Sequence, residues 1–504
     1  LVRQYEHKPE DGTLISNQQV RQKSWSHRFH LGADYLGTEN TRLSLYGFFN
    51  PASWEHNGNA AVQKQTENIR ETIWTAQKMD SDFIRNTYLS VFFSHHFDNT
   101  SRKLTLEISG SNYQGNNSTR YLAPDSAETS HNISNIKKPV KKSVQCLLDF
   151  NTPLGNHGNL TSGIWLNARK IADTGASGFS ATERKGALFA TTGYSKGRLD
   201  LRLGLRSEVF SRPEKSRNLT RFYLLPHTTL LFELTPKSKL TFSQRHSVIQ
   251  PNIVQLNPVG SRQDPFSLKW GNPELTPEFH RDIRLEYSFR KKNNFLSASL
   301  FHHATSEAIQ QATFINKDNL FETGTYNLGS IRQWGFQFSG AIQLTPKVSL
   351  NPLFRLMTVQ TRGNNMAKKL QIPHKKRIAF QSGLSATASF QHAISASLLF
   401  QYNSPTVMIQ QTSFSDPKTF LSINKTWNKK FKTGIKWGIP FSKTFTYDGN
   451  KSEGTDFQKH YNGIIHLSKP LAMVTFSYQF SKGKQRKELE RRKKTIPEIP
   501  QKGF

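Results

Sequence analysis

Apolar and polar residues alternate with a period of two along nearly the whole chain. In RLDLRLGLRSEVF, Arg198 to Phe210, one side carries Leu199, Leu201, Leu203, Leu205 and Val209, interrupted at Ser207. The other side carries Asp200, Arg202, Gly204, Arg206 and Glu208. The pattern recurs in KLTLEISGS at 103–111, DIRLEYSFR at 282–290, WGFQFSGAIQL at 334–344 and MVTFSYQF at 473–480. Neighbouring residues of a strand point to opposite faces, so this period predicts strands that are apolar on one face only. Outside the charged tail, no segment of comparable length keeps helical spacing.

Short polar breaks punctuate the strands at 36–40, 97–101, 153–159, 194–197, 235–238, 290–294, 345–347, 390–393 and 427–430. Each interval between them holds two strands of about ten to fourteen residues joined by a longer, irregular connection. Such connections lie at 114–137, 250–276, 311–330 and 361–376. Short turns on one rim and long loops on the other predict an all-β protein, a transmembrane antiparallel β-barrel. A soluble sandwich also alternates, but its strands average only about five or six residues. The repeated LTPK at 234–237 and 344–347 predicts two similar turns on the short-turn rim.

Two strands flank each of the nine short turns, and LAMVTFSYQF at 471–480 adds a nineteenth that ends on the same rim. Single-chain bacterial barrels have an even number of strands. The parity therefore predicts an odd number of further strands upstream of His27. The expected organisation is an extracellular loop or remnant over 1–26, the barrel over 27–480 and a basic periplasmic tail over 481–504.

Composition sharpens this picture. Only 35% of the 504 residues are hydrophobic and mean hydropathy is -0.61, yet 12% are aromatic, with 36 Phe. That balance suits strands with one apolar face. The formal net charge is +32, but Lys and Arg are spread along the chain and the dense run is confined to Lys482–Lys494. Charge alone does not choose between nucleic acid and anionic lipid; with the barrel pattern we expect outer-membrane lipid and lipopolysaccharide as partners and no nucleic acid. Cys146 stands alone and reads as a small apolar strand residue.

Catalytic constellations and cofactor motifs are missing from the sequence, so we expect no enzyme and no cofactor. GASG at 175–178 reads as a turn. The pairs His95-His96 and His302-His303 are strand neighbours, so each pair should split between two faces and bind no metal. Arg202, Arg206, Glu208, Arg284 and Glu286 would be costly against lipid, so they should face the barrel lumen.

The stretch Arg245–Tyr287 carries a resemblance. It reads R-H-S-V-I-Q-P, then L-N-P at 256–258, then G-N-P-E-L-T-P-E at 271–278, then an alternating strand. This resembles the outer-membrane β-barrel family of Bacteroidota, relatives of TonB-dependent receptors, and departs from its pattern at Gln250. The ending, FKTGIKWGIPF at 431–441 and VTFSYQFSKGKQRK at 474–487, is similar to that family as well. The resemblance implies a barrel of about 22 strands, of which nineteen lie in these residues. It also implies an upstream N-terminal plug, an energy-coupling protein and the barrel-assembly machinery as partners.

Within KWGNPELTPEF, Lys269 to Phe279, the prolines fix φ and bias the residue before each to extended backbone. Asn272-Pro273 and Thr276-Pro277 should stiffen an extracellular loop and set where the next strand starts, with Pro277 as its first residue. Trp270, Asn272 and Glu274 are the candidates for contact with a ligand. Together these readings predict an outer-membrane receptor that binds and imports a nutrient. The alternative is a non-transporting surface barrel, an adhesin or an envelope-assembly scaffold.

Overall fold

The computed structural model describes residues 2–479 apart from 9–12, 68, 98–100, 125–131, 176–177, 214–217, 319, 429, 441, 455–456 and 467–470. The expected tail over 481–504 and the last residue of the closing strand, Phe480, lie outside the described residues.

One antiparallel sheet dominates the molecule. Thr13–Ser26 and Phe29–Leu36 share the partner Thr41–Gln65 and act as one interrupted strand. From there, with each interrupted strand counted once (as Phe431–Gly438 with Thr444–Glu453, and Gln458–His466 with Leu471–Tyr478), each strand of the wall pairs with the next, nineteen in order to Leu471–Tyr478. All nine short breaks lie between strands that pair antiparallel. The two LTPK turns are alike in detail. Both follow a register shift, at Glu233/Thr235 and at Gln343/Thr345. In both, the threonine Oγ1 accepts the lysine N–H two residues on, at 3.2 Å.

Register explains the outer surface. Leu45, Val91, Ile108, Cys146 and Leu166 are successive partners across five strands. Paired residues share a face, so they form a continuous apolar belt, and the four besides Cys146 are 41–52% exposed. Water would penalise this surface by about 25 cal/mol per Å², whereas hydrocarbon would not. Cys146 is therefore one more apolar member of the belt. Among the described residues no helix is long and apolar enough to cross a membrane; the chain crosses with strands.

The wall is uneven in height. Thr41–Gln65 and Arg70–His96 have 25 and 27 residues, against about 9–11 for a bilayer crossing. Along the second, alternate residues from Trp74 to Ser90 are buried, among them Lys78, Asp80, Asp82 and Asn86. These two strands therefore stand well beyond the bilayer at the long-loop end. There the loops build their own core, including a small sheet of Ser261–Asp264, Ser267–Lys269, Phe321–Asn327 and Ile309–Ile315, whose middle pair is parallel. Asn135 fastens it to the wall, donating to Arg262 O at 2.7 Å and accepting from Arg262 N at 2.9 Å.

Residues 1–26 are not the loop expected. Val2–Lys8 forms a strand paired antiparallel to Thr13–Ser26 on one side and to Gln458–His466 on the other. The ring thus closes at the loop end through Val2–Lys8. Nearer the short-turn rim, Phe29–Leu36 and Leu471–Tyr478 each pair along one edge among the described residues. These two strands run in the same direction, so an odd number of antiparallel strands fits between them. Val2–Lys8 obeys that parity.

The face assignment has a direct test. Leu203 and Leu205 are exposed, and Leu203 shares its face with its partner Thr228. Gly204 faces the other way but lies against the His227 ring, where an added Cβ would come within 1.9 Å, so its neighbour Thr229 is the cleaner inward position. Leu203→Arg should sharply lower the amount of barrel recovered from membranes, since Arg at mid-bilayer costs about 2–4 kcal/mol. Thr229→Arg should leave it nearly unchanged. Equal yields would contradict the assignment.

Candidate functional site

The proline loop is held from below by three charged side chains of adjacent strands. Glu183 and Arg169 are register partners, and Arg212 ends the following strand. The Glu183 carboxylate pairs with the Arg169 guanidinium and stands 3.5 Å from that of Arg212. Glu183 and Arg212 are almost wholly buried. Arg169 Nη2 donates to Pro251 O at 2.8 Å, and Arg212 Nη2 donates to Leu275 O at 2.6 Å. The two arginines thus grip the loop at both ends, with one carboxylate between them.

Local sequence does the rest. Asn252 and Gln255 form a reciprocal capping box on the short helix Ile253–Leu256. Asn257 donates to Asp173 Oδ2 at 2.8 Å, while Asp173 Oδ1 accepts from Lys138 N and Gly175 N. Gly271 crosses directly over this helix. A Cβ there would lie 2.5–2.7 Å from the carbonyl oxygens of Gln255, Val254 and Asn257, so only glycine fits. The departure at Gln250 leaves its side-chain amide without a hydrogen-bond partner among the described residues.

Of the three loop candidates, Asn272 spends its Oδ1 on the Glu274 N–H at 2.9 Å, a turn role. Trp270 packs edge-on to Tyr326 with centroids 5.6 Å apart, and Glu274 is exposed. Pro277 is buried and the strand starts one residue later, at Glu278.

The charged strand residues gather on the face opposite the apolar belt. Arg206 lies 3.0 Å from Glu208 and 4.7 Å above the Trp165 ring. Arg284 stands 3.9 Å from Glu286. Arg206, Glu208 and Arg284 share one large cavity of about 1180 Å³ with Trp165, Phe189 and His303. Arg202 lies outside it, largely exposed and paired with Asp200 at 3.3 Å. The histidine pair splits as alternation requires: His302 stacks on Trp334 at 3.8 Å, while His303 bonds Asp282.

Sequence reasoning missed Arg169, Glu183, Arg212, Asp173 and Asn257. Arg169 and Glu183 did carry a signal, being opposite charges equidistant from the centre of the 174–178 turn. It also missed a smaller cavity at the loop end, of about 180 Å³, lined by Lys269, Lys459 and Asp448 among others. Burial pushes Lys459 down to about 8, against the pull of Asp264. Burial also lowers Lys269, helped by Lys137, and raises Asp448 and the underlying Asp264.

Two outcomes follow from this geometry. Arg212→Ala leaves Glu183 paired with Arg169 alone and the Leu275 carbonyl without its donor, a loss of about 1–3 kcal/mol. Limited trypsin digestion should then cut within 251–276 while the barrel itself persists; unaltered resistance would contradict the anchoring role. Lys459 binds its proton more weakly folded than unfolded, so its penalty is full below about pH 8 and fades as pH rises toward ~10.4. Protease resistance of the loops should therefore grow from pH 7 to 9.5, and Lys459→Met should be more resistant at pH 7 and less pH-dependent.

The profile of the outer membrane protein β-barrel family matches residues 95–478, well over half of the chain. No curated protein matches it. Among solved structures, the siderophore receptor PirA from Pseudomonas aeruginosa aligns with a TM-score of 0.51 at 12% identity, over 94% of this chain and 80% of that one. The FrpB iron transporter from Neisseria meningitidis aligns with a TM-score of 0.54 at 11% identity, over 92% and 82%. A structure of the FpvAI–pyocin S2 complex gives 0.59 at 9% identity, over 92% and 72%. At such identities the likeness is one of fold, and it agrees with the strand order and apolar belt. The chain belongs to the outer membrane protein β-barrel family and resides in the outer membrane.

Proposed function

We propose that this chain forms the wall and mouth of a TonB-dependent-type receptor that binds a nutrient and imports it through a plugged barrel. The observation that carries the reading is the group of charges opposite the apolar belt, Arg206 with Glu208 and Arg284 with Glu286, of which Arg206, Glu208 and Arg284 line a cavity of about 1180 Å³. Water or a polar plug is the environment such pairs require, so under this reading Arg202, Arg206, Glu208, Arg284 and Glu286 face the lumen. An N-terminal plug would dock against them, and an energy-coupling protein would act on that plug. The likeness to a siderophore receptor and an iron transporter supports the reading. At the mouth, Trp270 and Glu274 are the ligand-contact candidates, and Asn272 holds the turn between them.

A strain lacking the gene should lose uptake of a scarce nutrient, and the wild-type gene should restore it. Arg206→Glu with Arg284→Glu should restore membrane levels of the protein but not uptake, because reversed charges repel the acidic groups beside them. Normal uptake in the deletion strain, with surface adhesion or envelope assembly impaired, would overturn import in favour of a scaffold.

A further inference from the structure

Continuous with the apolar belt lies a groove of about 790 Å³ on the lipid-facing side of the wall. We propose that this groove and three cations beside it form a site for one lipopolysaccharide molecule of the outer leaflet. Its phosphate would sit on the cations and an acyl chain in the groove. The site follows from the barrel and its register and does not rest on the import reading.

Register places the groove. Gly47, Leu89, Gly110 and Val144 are successive partners across four strands, one step along from the row of Leu45, Val91, Ile108 and Cys146. Leu89 and Val144, 65% and 60% exposed, stand proud on either side of Gly110. With Phe49 and Ile108 they wall a space that the two glycines leave open. A Cβ on Gly110 would meet nothing nearer than Ser143 O at 3.9 Å, so packing of the wall does not itself require a glycine there. Apolar walls around a space of this size suit a hydrocarbon chain.

Chemistry changes abruptly at the loop-side end of the groove. On Pro139–Leu154 the apolar series Phe150, Leu148, Cys146 and Val144 runs into Lys142, and on Gly158–Asp173 Leu166 and Ala168 run into Lys170. Both lysines are exposed and are direct register partners, which sets their Cβ atoms about 4.5–5.5 Å apart. Arg184, exposed as well, is the diagonal neighbour of Lys170. The carboxylates nearest in sequence, Asp149, Asp173 and Glu183, alternate onto the opposite face and are buried there. Among the described residues none of the three cations forms an ion pair. Like charges directly opposite destabilise a strand pair. A phosphate that accepts from both ammonium groups removes that cost.

Position and polar neighbours select the lipid. Long loops mark the extracellular side, so the cations stand where hydrocarbon gives way to outer-leaflet headgroups. Asn112 is the partner of Lys142 on one side and Thr182 that of Lys170 on the other. They flank the phosphate position with an amide and a hydroxyl, groups suited to a sugar. A phosphorylated glycolipid uses the whole row; a simple phospholipid does not.

Equilibrium binding to the full-length receptor in detergent tests this, with fluorescent rough-type lipopolysaccharide as probe. Its dephosphorylated form and phosphatidylglycerol serve as competitors. The probe should bind, and each competitor should displace it at least about tenfold less effectively than unlabelled lipopolysaccharide. Lys142→Glu turns the opposed pair into an ion pair with Lys170. That variant should melt no lower than wild type in lipopolysaccharide-free detergent, yet bind the probe about tenfold or more weakly. Gly110→Phe fills the groove and should weaken binding several-fold at an unchanged melting temperature. Arg332→Gln with Lys376→Gln removes two exposed cations of distant strands and should leave binding as in wild type. Absence of binding, equal displacement by either competitor, lower melting of Lys142→Glu, unchanged binding in Lys142→Glu or Gly110→Phe, or an equal loss in the Arg332 and Lys376 variant would each overturn the proposal.

Discussion

In hydrocarbon there is no water to satisfy a backbone N–H or C=O, and each unpaired group costs several kcal/mol. Pairing to the next strand is the one solution an extended chain has, and the architecture follows from it. Nineteen strands each take the neighbour in sequence as partner. Paired residues then share a face, so an alternating sequence yields an apolar belt on one face and a charged surface on the other without further instruction. Closure is the last consequence. The strand Val2–Lys8 meets it at the loop end by lying antiparallel to both of its neighbours.

What the period of two encodes was legible in the sequence, and what depends on distant pairs was not. The nine short breaks, the strand order and the split of His302 from His303 all follow from local alternation and turn chemistry. The repeated LTPK is the clearest case, since its threonine closes the same bond in both copies. Alternation also says which residues share a face, but not how far a strand continues past the bilayer. Arg70–His96 keeps its period through Lys78, Asp80 and Asp82, where a polar inner face looks like the start of a loop. The segment 1–26 was misjudged for the same reason: Thr13–Ser26 is mostly polar and extends the wall above the membrane.

The mouth was harder still, because its order comes from contacts far apart in sequence. The prolines and glycines of 250–278 showed a stiff loop, and Gly271 explains one of them sterically. Apart from the match of Arg169 with Glu183 across 174–178, nothing local pointed to the residues that grip it. Arg169 and Arg212 reach Pro251 and Leu275, which are 82 and 63 residues away. In sequence they are merely charged residues near strand ends, and burial alone gives them their role.

Burial also separates the three uses this protein makes of the same charged side chains. Arg202 and Asp200 meet in a largely exposed pair, where solvent leaves such contacts at about 0–1 kcal/mol and the charge mainly keeps a surface wet. Arg212 and Glu183 are buried beneath the mouth, where an uncompensated charge is prohibitive, so carboxylate and carbonyls together hold both arginines. The loop is fixed because releasing it would strand those charges. Lys269 and Lys459 stand between these extremes, partly exposed and set against two carboxylates, Asp448 at the cavity wall and the buried Asp264. The arginine cluster thus belongs to the scaffold of the mouth, because the carbonyls it holds come from residues far away in sequence and would be stranded without it.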